Sequence, residues 1–186
     1  FKTRSLVIGH EDFYTFYALF GDSARYSTLV RNPIDRLISY YNHVMNNFEG
    51  FKDRPVSLLR FLEGQKNFEL DNLQVRYLCG KPRDQPVTRR DLDAAKSLIK
   101  NGTIEIGLAD ALPEAVRSMR VFSGLGTVSS TRKVNVSKRG FSRDTIADVE
   151  LAAIKARSKL DLALFRFCRK EIINNRRKEN GKSHEA

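Results

Sequence analysis

The stretch Tyr26-Ser27-Thr28-Leu29-Val30-Arg31-Asn32-Pro33 constrains the fold more than any other in the chain. Residues that favour extended backbone run straight into a helix-start signal. Asn suits the N-cap because its short side chain can accept a bond from a free N–H of the first turn, and Pro is preorganised for the first helical position. Ile34, Leu37, Ile38, Tyr41 and Met45 then recur at helical spacing. A strand feeding a helix without an intervening loop is the building unit of a parallel sheet, because parallel neighbours need a crossover between them.

The rest of the chain repeats the alternation. Ser5 to Ile8 is a short strand ended by Gly9-His10, and Asp12 caps a helix from Phe13 to Phe20 that stops at Gly21. Helices are expected over Val56 to Leu62 and around Asp71 to Leu78, followed by a loop from Lys81 to Val87. Thr88 caps a helix from Arg89 to Lys100 that ends at Asn101-Gly102, and Thr103 to Leu108 is a third strand. Pro113 to Phe122 is helical, Gly124 to Lys138 is a loop, and one long helix runs from Asp144 to about Asn174. The reading is a single α/β domain over residues 1–173, a parallel sheet flanked by helices, with a polar basic tail at 174–186 that frays.

Composition narrows the function classes. With 186 residues, 41% hydrophobic and 30% charged, the chain has the mixture of one globular domain rather than a fibrous or disordered polymer. No apolar run approaches the length of a membrane span. Two cysteines, Cys79 and Cys168, cannot build a disulfide framework, and three scattered histidines offer no metal-ligand spacing. Thirty-three Lys plus Arg against twenty-two Asp plus Glu give a net charge of +11. Such a surface attracts polyanions, phosphorylated nucleotides or acidic glycans without choosing among them.

Arg31 closes a strand, so its guanidinium belongs at the carboxyl edge of the sheet, where open α/β folds bind ligands. The helix that follows turns its N-terminal N–H groups to the same crevice. Ser39 lies about two turns into that helix, and Arg36 and Ser39 share a face. The set suits a phosphate monoester; the alternative is a surface Arg31 paired with Asp35 and a Ser39 that bonds back to its own helix. His10 stands at the end of a strand on the same edge, either as a cap or as a functional group. The basic residues Arg169, Lys170, Arg176, Arg177 and Lys178 read as a solvated helix face.

The series Arg31, Pro33, Arg36, Ser39, with Tyr40 and Tyr41 behind, resembles the 3′-phosphate-binding motif of sulfotransferases that use 3′-phosphoadenosine 5′-phosphosulfate (PAPS), and in particular the carbohydrate sulfotransferases of the heparan sulfate 2-O-sulfotransferase branch and their bacterial relatives. Asn72-Leu73-Gln74-Val75-Arg76-Tyr77-Leu78-Cys79-Gly80 is similar to a second element of that family. Asn135-Val136-Ser137, with Lys159-Leu160-Asp161-Leu162 in a closing helix, is similar to a third. The resemblance implies a P-loop-kinase-like fold in which Arg31 and Ser39 hold the 3′-phosphate and Lys138 and Arg139 close over the nucleotide. It implies His10 as general base, with Glu11 as the fallback, and Gln74 and Arg76 as acceptor-binding residues or as the ordered wall of the site. PAPS is the implied sulfuryl donor, adenosine 3′,5′-bisphosphate (PAP) the product, and no metal is called for. The implied acceptor is a carbohydrate hydroxyl, with an acidic acceptor favoured by the charge of +11.

One departure is plain. The family's Gly- and Ser/Thr-rich loop with a Lys, which cradles the 5′-phosphosulfate, does not occur in this sequence. The expectation is a chain that starts after that loop and lacks the strand before it. A non-catalytic basic module that binds polyanions or nucleotides is the alternative function; no nucleic-acid-binding signature is present. Few cysteines and no anchor favour a bacterial cytoplasmic setting, with a Golgi catalytic domain as the alternative.

Overall fold

Each local signal around the first strand is realised. In the computed structural model, which describes residues 7, 9–52, 54–63, 68–119, 122 and 141–182, strand β1 spans Tyr26–Val30 and β2 spans Ile104–Leu108. They pair in parallel, with Tyr26 opposite Ile104 and Val30 opposite Leu108. Helix α1 (Phe13–Phe20) precedes β1; Asp12 caps it by accepting from the N–H groups of Tyr14 and Thr15. Between the strands lie α2 (Pro33–Asn47), α3 (Glu49–Lys52), α4 (Leu58–Glu63), α5 (Leu73–Cys79) and α6 (Arg89–Lys100). Helix α7 (Leu112–Ser118) follows β2, and α8 (Asp148–Arg157) and α9 (Lys159–Lys182) complete the chain. The result is a mostly helical α/β arrangement around a small parallel sheet.

Two apolar clusters hold it together. Val30 and Ile104 from the strands pack with Phe13 of α1, Val75 and Leu78 of α5, Leu92, Ala95 and Ile99 of α6, and Leu164, Phe165 and Cys168 of α9. The second cluster gathers the face of α2 read from the sequence, Ile34, Leu37, Ile38 and Tyr41, against Leu58, Leu62, Leu70 and Ile154. Gly107 of β2 is required by the approach of α7. A Cβ there would lie 2.6 Å from Met119 Sδ and 2.7 Å from Ala115 Cβ, distances no real Cβ tolerates.

Three expectations change. Of Ser5 to Ile8 only Val7 is among the described residues; it is exposed and belongs to no strand, so two strands rather than three are described. The long closing helix is two helices. The Ser142 N–H donates to Thr145 Oγ1 at 2.8 Å, a local bond that competes with helix and delays the start to Asp148. At Ser158 the helix breaks and restarts, because the Asn72 side chain takes the N–H groups of Leu160 and Asp161 at 2.7 and 3.1 Å. Beyond Asn174, where the closing helix was expected to end, α9 continues to Lys182.

Candidate functional site

Arg31 is the first residue beyond β1, at the carboxyl edge of the parallel pair, and α2 opens two residues later. Asn32 caps it as its side chain predicts, its Oδ1 accepting from the Ile34 N–H at 3.0 Å. The Arg31 backbone is pinned from a distant element. Its N–H donates to Gln74 Oε1 at 2.8 Å, and its carbonyl accepts from Gln74 Nε2 at 3.0 Å. Its guanidinium makes no hydrogen bond or ion pair among the described residues, nor does the half-buried Ser39 hydroxyl. The alternative pairing of Arg31 with Asp35, and a back-bond from Ser39, are therefore not what those residues do here.

Arg36 behaves differently although it shares a helix face with Ser39. Its Nη2 donates to the Glu69 carbonyl at 2.6 Å, and Nη1 stands 3.9 Å from the Glu69 carboxylate. Burial pushes this guanidinium below its ordinary value, opposed by the nearby charges of Asp161 and Glu69. Arg36 is thus a structural cation inside the motif, and Arg31 and Ser39 are its unengaged members.

Gln74 and Arg76, expected at the acceptor, are committed to the protein itself. α5 makes them helical, so residues two apart point to different sides. Gln74 faces Arg31, while Arg76 is 2% exposed and holds the loop that follows. Its Nη1 donates to the carbonyls of Pro82 and Gln85, and its Nη2 meets Asp71 Oδ2 at 3.1 Å. This internal network engages the Arg76 side chain, and the Gln74 side chain is engaged by the Arg31 backbone.

From the sequence, Asp161 is only part of a closing helix, and its role there is not legible. It is fully buried in the first turn of α9, where its Oδ1 and Oδ2 accept from the Val75 and Gln74 N–H groups at 2.9 and 3.2 Å. Burial pushes this carboxyl above the usual carboxylate range, and the Val75 bond and the Arg36 charge pull it back. Asn72 in front of α5 caps α9, while Asp161 in the first turn of α9 caps α5, a reciprocal exchange between the two helix starts.

His10 is exposed and lies beside Gly9, whose Cα is so close to the Phe16 ring that a Cβ would fall 2.6 Å from Cζ. The neighbouring Glu11 is within electrostatic reach of Tyr77, which also senses Glu69, Arg83 and Arg36; burial is the main cause that raises the Tyr77 hydroxyl. The segment carrying His10 lies against Phe16 of α1, the helix that packs on α5. Lys138 and Arg139 lie outside the described residues, as do Asn135 and Ser137. Among the described residues no group of three or more His, Cys, Asp and Glu could hold a metal ion, and no helix is long and apolar enough to cross a membrane. A concavity of about 390 Å³ on α9 is lined by Arg166, Arg169, Lys170, Ile173 and Asn174, none of which belongs to the Arg31 set.

No protein-family model, curated protein or solved structure matches the chain. The functional reading therefore rests on the residues. A guanidinium at the sheet edge where a capped helix begins, and a hydroxyl about two turns into that helix, both without a partner among the described residues, are groups of the kind that bind phosphate by hydrogen bonds.

Proposed function

We propose that the chain is a PAPS-dependent sulfotransferase of P-loop-kinase-like fold, in which Arg31 and Ser39 bind the 3′-phosphate of the nucleotide. One observation carries the reading: the Arg31 guanidinium and the Ser39 hydroxyl have no partner among the described residues, while the side chains of Arg36, Gln74 and Arg76 around them are engaged. His10, an exposed residue, is the general base. The acceptor oxygen attacks sulfur in line, its proton passes to His10, and the bond from sulfur to the 5′-phosphate oxygen breaks to release PAP. Lys138 and Arg139 close over the nucleotide. The acceptor is a carbohydrate hydroxyl, on an anionic chain that the charge of +11 attracts, and the setting is a bacterial cytoplasm. The second reading, a basic polyanion-binding module, draws on the cationic concavity of α9.

Calorimetric titration of adenosine 3′,5′-bisphosphate and of adenosine 5′-monophosphate at moderate salt tests the proposal. Arg31→Ala costs the bisphosphate about 2–4 kcal/mol through loss of a charge-assisted contact. Ser39→Ala costs it roughly 1 kcal/mol, the value of a neutral donor, and neither changes monophosphate affinity. Equal losses for both nucleotides sink the assignment. Binding that collapses with salt and ignores the 3′-phosphate favours the polyanion module instead. In sulfuryl transfer, His10→Ala lowers kcat by about 10²–10⁴, with bisphosphate affinity unchanged.

A further inference from the structure

We infer that Gln74 and Asp161 form a positioning relay that aims Arg31 at its phosphate, an inference that rests on the reading of Arg31 as a phosphate-binding residue. The ladder to β2 ends with Val30 opposite Leu108, so Arg31 has left the sheet and needs another support for its backbone. Gln74 supplies it with two bonds of opposite sense, at 2.8 and 3.0 Å, to the N–H and the C=O of one residue. Two points of attachment on a single residue fix the peptide planes on both sides of its Cα, and with them the direction in which the side chain leaves. A single bond would leave a pivot.

Gln74 is itself held in the same two-point manner. The Asp161 carboxylate receives the N–H groups of Gln74 and Val75, at 3.2 and 2.9 Å, so the first turn of α5 is clamped to the first turn of α9. Asp161 is fully buried and reaches no solvent. The order of support is then Asp161 to the Gln74 backbone, Gln74 side chain to the Arg31 backbone, and Arg31 side chain to ligand. The same device occurs elsewhere in the fold. The Asn42 amide bonds both N–H and C=O of Phe141, at 3.0 and 2.8 Å. At Phe141 it fixes an apolar side chain packed against the second cluster; at Arg31 it fixes a cation with no side-chain partner among the described residues.

A preorganised guanidinium binds more tightly than one that must be immobilised on binding. Neither Gln74 nor Asp161 needs to touch ligand for this, and their effect must pass through Arg31. Affinities of the full chain for adenosine 3′,5′-bisphosphate and adenosine 5′-monophosphate, measured well below each variant's melting temperature, give the readout as a ratio. Gln74→Ala weakens bisphosphate binding by about three- to tenfold, the range expected for ordering one long side chain, and leaves monophosphate binding unchanged. Gln74→Glu, which keeps the acceptor for the Arg31 N–H and loses the donor to its carbonyl, falls between wild type and Gln74→Ala. Asp161→Asn, which keeps one good acceptor, moves the ratio in the same direction. In an Arg31→Ala background Gln74→Ala has no further effect on the ratio, because the two act as one unit.

A wild-type chain that binds the two nucleotides equally overturns the phosphate reading and the relay with it. A wild type that discriminates, with a ratio that survives Gln74→Ala and Asp161→Asn while their melting temperatures fall, overturns the relay alone. In that case the two residues hold the fold and do not aim Arg31.

Discussion

Asn72 is the residue on which the junction of α5 and α9 turns, and its replacement has a magnitude that can be worked out in parts. Its backbone sits at φ 45°, ψ 48°, the only positive φ outside glycine among the described residues. Its side chain is buried, with Oδ1 accepting from Leu160 and Asp161 and Nδ2 donating to Asp71 Oδ1 at 2.9 Å. Asn72→Ala leaves two N–H groups of the first turn of α9 without an acceptor. The Asp161 N–H is fully buried and the Leu160 N–H partly so, which together costs about 2–4 kcal/mol. Ala at a left-handed position adds about 1 kcal/mol, a strain that Asn tolerates. The expected loss is therefore about 3–5 kcal/mol, a large part of the stability of a single domain. Asn72→Gly relieves the backbone strain and loses only the cap, so it costs about 1 kcal/mol less than Ala. Asn72→Asp keeps the acceptor and sets a second carboxylate against Asp71, for a loss of about 1–2 kcal/mol. Urea denaturation should order the set wild type, Asp, Gly, Ala. An Ala variant within about 1 kcal/mol of wild type, or one more stable than the Gly variant, refutes the reasoning.

Two further outcomes follow from single residues. Burial pushes the Asp91 carboxyl up, but the hydrogen bonds from Thr88 and the Lys81 ammonium at 3.4 Å outweigh it and leave the group below its ordinary value. A depressed carboxyl stabilises the fold above its unfolded value of about 4 and loses that contribution as pH falls through the folded value. Urea midpoints measured downward from pH 5 should therefore decline less steeply in Asp91→Asn than in wild type, and an identical slope excludes the account. Cys168 is fully buried, and burial pushes its thiol up to about 12, whereas Cys79 is half-buried. Alkylation at pH 8 followed by peptide mass spectrometry should label Cys79 first and Cys168 only on unfolding; equal rates contradict the burial.

What could be read ahead of the structure was what neighbours in the chain decide. Asn32 and Pro33 set the start of α2, and Thr88, which exchanges bonds with Asp91, sets the start of α6. Both signals act within one turn, and both boundaries fell where their chemistry puts them. The break at Ser158 was invisible for the opposite reason. Its cause is Asn72, 88 residues away from the Leu160 N–H that it takes, and no local pattern in Asp144 to Asn174 marks the place. The same holds for Gln74 and Arg76. Their residue types announced hydrogen-bonding work, but whether that work served a ligand or the protein depended on which backbone groups the fold brought to them.

Of the candidate site, the part that remained legible is the part that tertiary structure left alone, and side-chain length explains why. Arg36 and Ser39 are three residues apart on α2, beside a buried face formed by Ile34, Leu37, Ile38 and Tyr41. A long, flexible cation at the edge of that face can lay its stem along apolar surface and reach a carbonyl of the neighbouring segment, as Arg36 does at Glu69. A serine in the same sector cannot reach so far. It can only bond back to its own helix or meet something that comes to it, and here it does not bond back. Arg31 is long enough to reach a partner. Its position after the last rung of the sheet, with N–H and C=O both taken by Gln74, holds its backbone in place while its side chain remains without a protein partner among the described residues. The motif spacing thus combines an inward-turned arginine that anchors the helix with an arginine and a serine whose side chains have no partner among the described residues, and only the geometry separates the two.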